Sequence, residues 1–126
     1  MSIVLDASAV LAILNSEPGA DIVSEAVPGA RISAVNLSEV VAKLAGGGMP
    51  EDAIRSALDG LSLNVVSLNV EAAYLAGLLR PATRSAGLSF GDRACIALGL
   101  RLGCAVLTTD RQWEALDLGL EVRLAR

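Results

Sequence analysis

Four acidic side chains are the groups in this sequence best placed to carry chemistry: Asp6, Glu39, Asp92 and Asp110. Two of them follow short apolar runs that are typical of buried strands, and the other two fall in the predicted first turns of helices. Carboxylates gathered in one crevice repel one another unless a cation neutralises them. Because no nitrogen or sulfur ligand accompanies these acids, the cation that suits them is Mg²⁺, or Mn²⁺ in its place.

The rest of the composition excludes most other catalytic chemistry. The sequence has no histidine, which removes Ser-His-Asp and Cys-His catalysis and every histidine-based metal motif. Lys43 is the single lysine, and no phosphate-binding loop of the G-x-x-x-x-G-K type is present. Carboxylates, hydroxyls and arginines are therefore the groups that remain for catalysis.

Charge and cysteine content narrow the class of protein further. The net charge of −4 argues against a surface that binds nucleic acid indiscriminately. Cys95 and Cys104 lack metal-ligand spacing and are predicted to be buried thiols, which suits the reducing cytoplasm. No basic segment precedes Asp6, and no apolar run reaches the about 18 residues of a membrane span, so neither a signal peptide nor a membrane helix is predicted.

Short apolar runs alternate with helix-like segments along the 126 residues, a length that predicts one domain, 1–126. Strands are predicted over 3–5, 31–35, 63–68, 104–108 and 121–124. Helices are predicted over 8–15, 20–27, 36–45, 50–61, 70–79, 89–102 and 111–118, with a loop over 80–87. This pattern predicts an α/β fold, a three-layer α/β/α sandwich with a central, mostly parallel sheet. Ligands of such sheets bind beyond the carboxyl ends of the strands, where these acids fall.

Each acid also has a purely structural interpretation. Asn36-x-x-Glu39 and Ser89-x-x-Asp92 both have the form of a capping box, and Asp110 can cap the helix that follows it. Asp6 fits a structural role least well, because Ala7-Ser8-Ala9 offers it no obvious partner. The joint placement of all four acids favours a functional site more than any one of them does alone.

Four motifs, taken in order, resemble those of the PIN-domain family. They are Val4–Ala9 (VLDASA), Asn36–Val40 (NLSEV), Leu88–Ala97 (LSFGDRACIA) and Val106–Trp113 (VLTTDRQW). One such motif is weak evidence, whereas four at this spacing, over nearly the whole of a short chain, are specific. The small size resembles the VapC-type toxins of bacterial and archaeal toxin–antitoxin pairs.

The resemblance implies a PIN-like fold and a magnesium-dependent endoribonuclease, in which a metal-bound water attacks the scissile phosphate. It gives Asp6 and Asp92 the most direct contact with Mg²⁺ or Mn²⁺. It makes Glu39 and Asp110 ligands through water, or the groups that orient the attacking water. Cys95 stands one helical turn beyond Asp92, where some relatives carry a further acid, which leaves open whether one or two metal ions bind.

The resemblance also implies supporting residues around these acids. Ser8 and Thr108 would fix the acids by hydrogen bonds, although a cap or strand-end role is equally open for them, and Asn36 is by default a helix cap. Four arginines are predicted as contacts to RNA phosphates: Arg80, Arg84, Arg93 and Arg111. Exposed loop charge is the alternative for them, or, for Arg111, a salt bridge to the acids.

The apolar content predicts surfaces for partners. Hydrophobic residues make up 53% of the sequence and the mean hydropathy is +0.57, so more apolar surface is expected than one small domain buries. Candidate exposed faces lie within Val10–Leu14, Val40–Leu44 and Ala53–Leu61, although part of each helix must face the sheet. We expect a homodimer and, second, a hydrophobic groove for a partner helix. The resemblance implies that an antitoxin tail lies in this groove and sends a basic side chain to the acids, in competition with metal.

Other functions remain as alternatives. The first is a non-catalytic, PIN-like interaction module that binds an antitoxin-type partner, although the four intact acids argue against it. A receiver-type phosphoacceptor domain needs a lysine at a strand end, whereas Lys43 is predicted in mid-helix. A phosphatase of the D-x-D type is excluded because Ser8 occupies the position of its second acid.

Overall fold

Five short strands rich in apolar and β-branched residues form the sheet of the computed structural model, which describes residues 2–126. The strands are β1 (Ile3–Leu5), β2 (Arg31–Ser33), β3 (Asn64–Val66), β4 (Ala105–Thr108) and β5 (Val122–Leu124). They lie in the order β3-β2-β1-β4-β5, and every neighbouring pair is parallel. The predicted α/β/α sandwich is confirmed, and its sheet is parallel throughout.

Helices cover both faces of the sheet. They are α1 (Ala7–Leu14), α2 (Ala20–Ala26), α3 (Ala34–Gly46), α4 (Glu51–Asp59), α5 (Val70–Leu78), α6 (Arg80–Thr83), α7 (Phe90–Leu102) and a 3-10 helix (Arg111–Ala115). Alternate residues of a strand point to opposite faces. Leu5 and Leu107 accordingly belong to the core formed with α1 to α4, whereas Val4 and Val106 belong to the core formed with α7 and the 3-10 helix.

The strand order places a crevice between β1 and β4. The chain leaves β1 towards β2 and β3 on one side of the sheet, and β4 and β5 fill the other side. Ligands of open parallel sheets bind at the carboxyl ends of the two strands where the order reverses in this way. Leu5 is in register with Leu107, so Asp6 and Thr108 follow these residues side by side at the head of the crevice.

Helix α3 begins earlier than predicted, which changes the positions of two candidate residues. Ser33 is the N-cap, because its side chain accepts a hydrogen bond from the backbone N–H of Val35 at 3.2 Å. Asn36 is therefore the third residue of α3, and Glu39 lies in its second turn. The predicted capping box of Asn36 with Glu39 is wrong, as is the placement of Glu39 in the first turn.

Three smaller differences lie in the second half of the chain. The predicted loop 80–87 contains the short helix α6. Pro81 lies in its first turn, where the backbone N–H that proline lacks would have no partner within the helix. The helix predicted over 111–118 is a 3-10 helix that ends at Ala115, because Leu116 is extended. Cys95 is buried as predicted, whereas Cys104 is partly exposed. Between residues 2 and 126, no helix has the length and apolarity to cross a membrane.

Candidate functional site

Asp6 lies at the junction of β1 and α1, and its side chain is almost completely buried. Only 3% of the residue is exposed. It is the N-cap of α1, with its carboxylate accepting a hydrogen bond from the backbone N–H of Ala9 at 2.9 Å. The carboxylate also accepts hydrogen bonds from Ser8 Oγ at 2.7 and 2.9 Å and from Thr108 Oγ1 at 2.6 Å. The expectation that the neighbouring residues offer Asp6 no partner is therefore wrong.

The hydroxyls of Ser8 and Thr108 connect the ends of β1 and β4. Each donates to the Asp6 carboxylate and accepts a backbone N–H from the loop after β4: Ser8 Oγ from Thr109 at 3.0 Å, and Thr108 Oγ1 from Asp110 at 3.0 Å. Because a hydroxyl can donate and accept at once, these two side chains fix Asp6 and the backbone of Asp110 together.

The pKa of Asp6 is raised from 3.8 to about 6. Burial is the main cause, because it disfavours the charged form. Hydrogen bonds from Thr108, Ala9 and Ser8 lower the pKa in part, and the negative charge of Asp92 raises it again. A carboxylate desolvated in this way is stabilised in its ionised form by any cation that reaches it.

Glu39 reaches the site from α3 and is held by Asn36 on the same helix. Asn36 Nδ2 donates to Glu39 Oε1 at 2.8 Å and to the backbone carbonyl of Gly91, in the first turn of α7, at 2.9 Å. Asn36 is thus not a helix cap but a link between α3 and α7. Its Oδ1 atom is buried and accepts no hydrogen bond from the described residues.

Asp92 and Asp110 each stabilise a helix start with one carboxylate oxygen. Asp92 forms the predicted capping box with Ser89: Ser89 N–H donates to Asp92 Oδ2 at 2.9 Å, and Asp92 N–H donates to Ser89 Oγ at 3.2 Å. Asp110 is the N-cap of the 3-10 helix, with Oδ1 accepting from the N–H of Gln112 at 2.9 Å. Each cap uses only one of the two oxygens, so the caps do not exclude a second role.

Three of the four acids act on one buried thiol. The pKa of Cys95 in α7 is raised well above its ordinary value, by burial first and then by the negative charges of Asp6, Asp92 and Glu39. The charges of all three carboxylates thus act on this thiol, and Thr108 joins Asp110 to Asp6 by hydrogen bonds. Among residues 2–126, no three acidic, cysteine or histidine side chains stand together as ligands of one metal ion.

A family model of the PIN domain matches residues 3–118 of the chain. The chain belongs to the PIN-domain family. No curated protein sequence matches it significantly.

Solved structures share the fold of this PIN domain. A DNA-bound VapBC from Salmonella typhimurium has 19% identity, with 100% of this chain and 99% of that chain covered, at a TM-score of 0.77. A toxin–antitoxin complex from Klebsiella pneumoniae has 17% identity, 98% coverage of both chains and a TM-score of 0.77. VapC20 from Mycobacterium tuberculosis, a sarcin–ricin loop cleaving toxin, has 16% identity, with 90% of this chain and 93% of that chain covered, at a TM-score of 0.73. At these identities the likeness establishes the fold.

The four candidate arginines of the PIN domain occupy different environments. Arg80 and Arg84 are exposed on and beside α6, and Arg111 is exposed and pairs with Glu114 at 3.9 Å, not with a site acid. Arg93 is buried, and its Nη1 donates to the carbonyl of Ala76 in the last turn of α5 at 3.0 Å. The prediction that Arg93 contacts phosphate is wrong. Consecutive helical residues point about 100° apart, so a side chain next to Asp92 faces a different neighbour.

Two apolar surfaces stand out among the described residues. The first is a groove of about 530 Å³ between α3, α4 and the edge strand β3, lined by apolar residues that include Leu37, Val41, Ile54, Leu58 and Val65. It draws on two of the three segments predicted to be exposed, 40–44 and 53–61. The buried residues of the three segments include Val10, Val40, Leu44 and Ile54. The second is a stripe along α5 that the sequence analysis missed: Val70, Tyr74 and Leu78, each between 67% and 74% exposed. Their spacing of four residues was the signal for it.

Sequence analysis also missed Gly91. In the structure, the Glu39 carboxylate group occupies the space that a side chain at this position would fill. The signal was a glycine in the first turn of a helix, where glycine costs stability and no turn requires it.

Proposed function

We propose that this PIN domain is a magnesium- or manganese-dependent endoribonuclease and the toxin of a toxin–antitoxin pair. The observation that carries the proposal is the buried Asp6 carboxylate, held by two hydroxyls and one backbone N–H at the carboxyl end of β1. A buried, desolvated acid on which a second carboxylate, that of Asp92, acts with its negative charge lowers the stability of the fold, which is typical of a site that a cation completes.

The donor set fits a hard divalent cation. Every candidate ligand is a carboxylate oxygen, which is the ligand that Mg²⁺ and Mn²⁺ prefer. Glu39, Asp92 and Asp110 are half-buried, so they meet solvent at the crevice where a hydrated ion would enter. We assign direct contact to Asp6 and Asp92, and contact through water to Glu39 and Asp110.

Bound there, the ion would polarise the scissile phosphate and the attacking water. The chain itself supplies position and charge. Ser8 and Thr108 stop the Asp6 carboxylate from rotating, because both of its oxygens accept their hydrogen bonds. Glu39 and Asp110 would orient the attacking water by accepting its protons in hydrogen bonds. Arg80 on α6, Arg84 directly after it, and Arg111 are exposed, and we assign them as the arginines that contact RNA phosphates.

The toxin assignment draws on the solved relatives. One of them is a toxin that cleaves the sarcin–ricin loop, another is a toxin–antitoxin complex, and the third is a DNA-bound VapBC. We therefore propose structured RNA as the substrate and an antitoxin protein as the partner, in the reducing cytoplasm that two free cysteines suit. The groove between α3 and α4 is the proposed binding site for the antitoxin, and the α5 stripe is the proposed surface of a homodimer.

A non-catalytic interaction module is the second candidate function. It is favoured by one observation, namely that among the described residues no three site side chains are gathered as metal ligands. In that case the acids would serve only as caps and the groove would be the functional surface. Metal binding distinguishes the two candidates, because the module has no need of it.

Metal binding is the first test. Mg²⁺ or Mn²⁺ should raise the melting temperature of the purified protein, because a ligand that binds only the folded state stabilises it, by about 2.7 kcal/mol at one hundred times its dissociation constant. Asp6→Asn should abolish the shift, whereas Asp59→Asn, an exposed acid at the end of α4, should keep it. A melting temperature that millimolar metal leaves unchanged would favour the non-catalytic module.

Cleavage is the second test. The protein should cut a structured RNA in the presence of Mg²⁺ or Mn²⁺, and a chelator should stop the reaction. Asp92→Asn should lose cleavage and keep the fold, with Asp59→Asn again as the matched control. Full activity of Asp92→Asn would remove Asp92 from the proposed site, and activity in the presence of chelator would remove the metal.

A further inference from the structure

Gly91 and Glu39 fit together where α7 begins against α3. A Cβ atom added at Gly91 would overlap the Glu39 carboxyl carbon and both of its oxygens, at separations that real Cβ contacts do not show. Gly91 has an ordinary backbone conformation, since its φ is not among the positive values of the chain. The absence of a side chain is therefore required here by the space that Glu39 occupies, not by the backbone.

Asn36 holds Glu39 in this space and leaves one of its own buried atoms without a hydrogen bond within residues 2–126. Its Nδ2 atom donates both to Glu39 and to the Gly91 carbonyl, and its buried Oδ1 atom is left without a partner among the described residues. The opposite orientation of the amide would direct Oδ1 at two other oxygens. The chain thus leaves a buried acceptor unpaired, which is unfavourable, and in return fixes one carboxylate against α7. Local costs of this kind are concentrated at functional sites.

We infer that Gly91 is a positioning residue of the proposed metal site. Because it has no side chain, the Glu39 carboxylate can lie on the first turn of α7, next to Asp92, where the Asn36 amide holds it. Gly91 and Asn36 form a seat that holds an acid from α3 against the first turn of α7. This inference rests on the proposed function, and it concerns which residues hold Glu39 in place for the metal.

Substitution of Gly91 should lower the affinity for metal and leave the stability of the fold almost unchanged. Glu39 is a flexible side chain with a half-buried carboxylate, so an added methyl group would push it aside rather than disrupt the core. Alanine is also a better helix former than glycine. Gly91→Ala should therefore melt within a few degrees of the parent protein, and it should bind Mn²⁺ about tenfold more weakly or worse. A glycine with a merely structural role would show the opposite pattern.

The experiment measures Mn²⁺ affinity by titration calorimetry, together with the melting temperature, for the parent and its variants. Gly77→Ala is the matched control, because Gly77 lies in α5 and an added Cβ would meet nothing within 4 Å. It should bind Mn²⁺ as the parent does. Asn36→Ala removes the part of the same seat that lies in α3, and it should also lower the affinity for Mn²⁺. This variant keeps the proposal testable if Gly91→Ala does not fold.

A double variant tests whether Gly91 acts through Glu39. Glu39→Ala should bind Mn²⁺ more weakly than the parent, and adding Gly91→Ala to it should cause no further loss, because the displaced group is already gone. An equal loss in both backgrounds, or parent-like affinity of both Gly91→Ala and Asn36→Ala, overturns the seat while the metal site stands. If the parent itself binds no Mn²⁺, the proposed function fails and the seat fails with it.

Discussion

The hydroxyl of Thr108 donates a hydrogen bond of 2.6 Å to the carboxylate of Asp6, although 102 residues separate them in the chain. The parallel pairing of β1 with β4 makes this contact possible, because it ends both strands at the same height. The same hydroxyl accepts the N–H of Asp110. One threonine therefore links two of the candidate acids, one through its side chain and the other through its backbone.

Removal of this hydroxyl should weaken both the fold and the site. Thr108→Val keeps the shape of the side chain and leaves the Asp110 N–H and one Asp6 oxygen without their partner, at a cost of about 2 kcal/mol in the free energy of unfolding. Mn²⁺ affinity should fall about tenfold. Denaturant titration and calorimetry measure the two effects. Thr108→Ser keeps the hydroxyl and should restore most of the Mn²⁺ affinity; equal losses in both variants would show that the methyl group, not the hydrogen bond, matters.

The raised pKa of Asp6 predicts how stability depends on pH in the absence of metal. The folded chain, with an Asp6 pKa of about 6, holds this proton more tightly than the unfolded chain, whose Asp6 keeps the ordinary value of 3.8. The neutral acid therefore contributes stability that is fully present below 3.8 and is lost as the pH rises through about 6. The loss amounts to about 3 kcal/mol.

The measurement is the free energy of unfolding of the parent and of Asp6→Asn across this pH range, with chelator present. The difference between the two proteins cancels the other titrating groups and should change by about 3 kcal/mol in favour of Asp6→Asn as the pH rises. Metal binding should show the opposite trend and strengthen above about pH 6, because the ion needs the ionised carboxylate. A difference that stays constant with pH would mean that Asp6 is not desolvated as described.

The sequence was sufficient to predict the architecture and the strand-end acids. Apolar runs such as Ile3–Leu5 and the turn signals between them specify the order of strands and helices, and a parallel sheet then places Asp6 and Asp110 at one edge. The start of α3 was not predictable in the same way. Ser33, Ala34 and Val35 are as compatible with a strand as with a helix, and in the structure Ser33 both ends β2 and caps α3.

Contacts between helices account for two further errors. Arg93 stands beside a site acid in sequence, and only the packing of α7 on α5 shows that it points away from the crevice. Asn36 has the spacing of a capping residue, but its side chain donates to Glu39 and to the Gly91 carbonyl in α7, which is 55 residues away. Periodicity identifies which face of a helix is apolar, but it does not identify the neighbour that a polar residue on that face will meet.

Arginine variants should separate a structural role from a role in RNA binding. The buried side chain of Arg93, in α7, reaches the carboxyl end of α5 and donates a hydrogen bond to the carbonyl of Ala76. Arg93→Met should therefore lower the free energy of unfolding by about 2 kcal/mol. Arg84 is exposed, so Arg84→Met should leave stability unchanged and raise the KM for RNA, more at low salt than at high salt. Loss of RNA affinity without loss of stability in Arg93→Met would reverse these assignments.

The two apolar surfaces should be separable by one charged substitution in each. Tyr74 on the α5 stripe is 67% exposed, and an aromatic side chain at the centre of an interface contributes strongly to association. Tyr74→Glu should turn a dimer at micromolar concentration into a monomer that still binds the antitoxin. Val41→Glu, in the groove between α3 and α4, should do the reverse and abolish antitoxin binding in a protein that remains dimeric. Sedimentation of each variant, alone and with the antitoxin, measures both effects.

Competition with metal then tests whether the antitoxin reaches the acids. A basic antitoxin side chain near Asp6 would offset the repulsion between carboxylates as a cation does, so each ligand should weaken the binding of the other by the same factor. Mg²⁺ should therefore lower antitoxin affinity in the parent and have no such effect in Asp6→Asn. If Mg²⁺ leaves the affinity for the antitoxin unchanged, the antitoxin contacts the groove and does not reach the acids. A parent protein that stays monomeric and binds no antitoxin would remove both surfaces as partner sites and leave the nuclease proposal to stand on its metal and RNA tests.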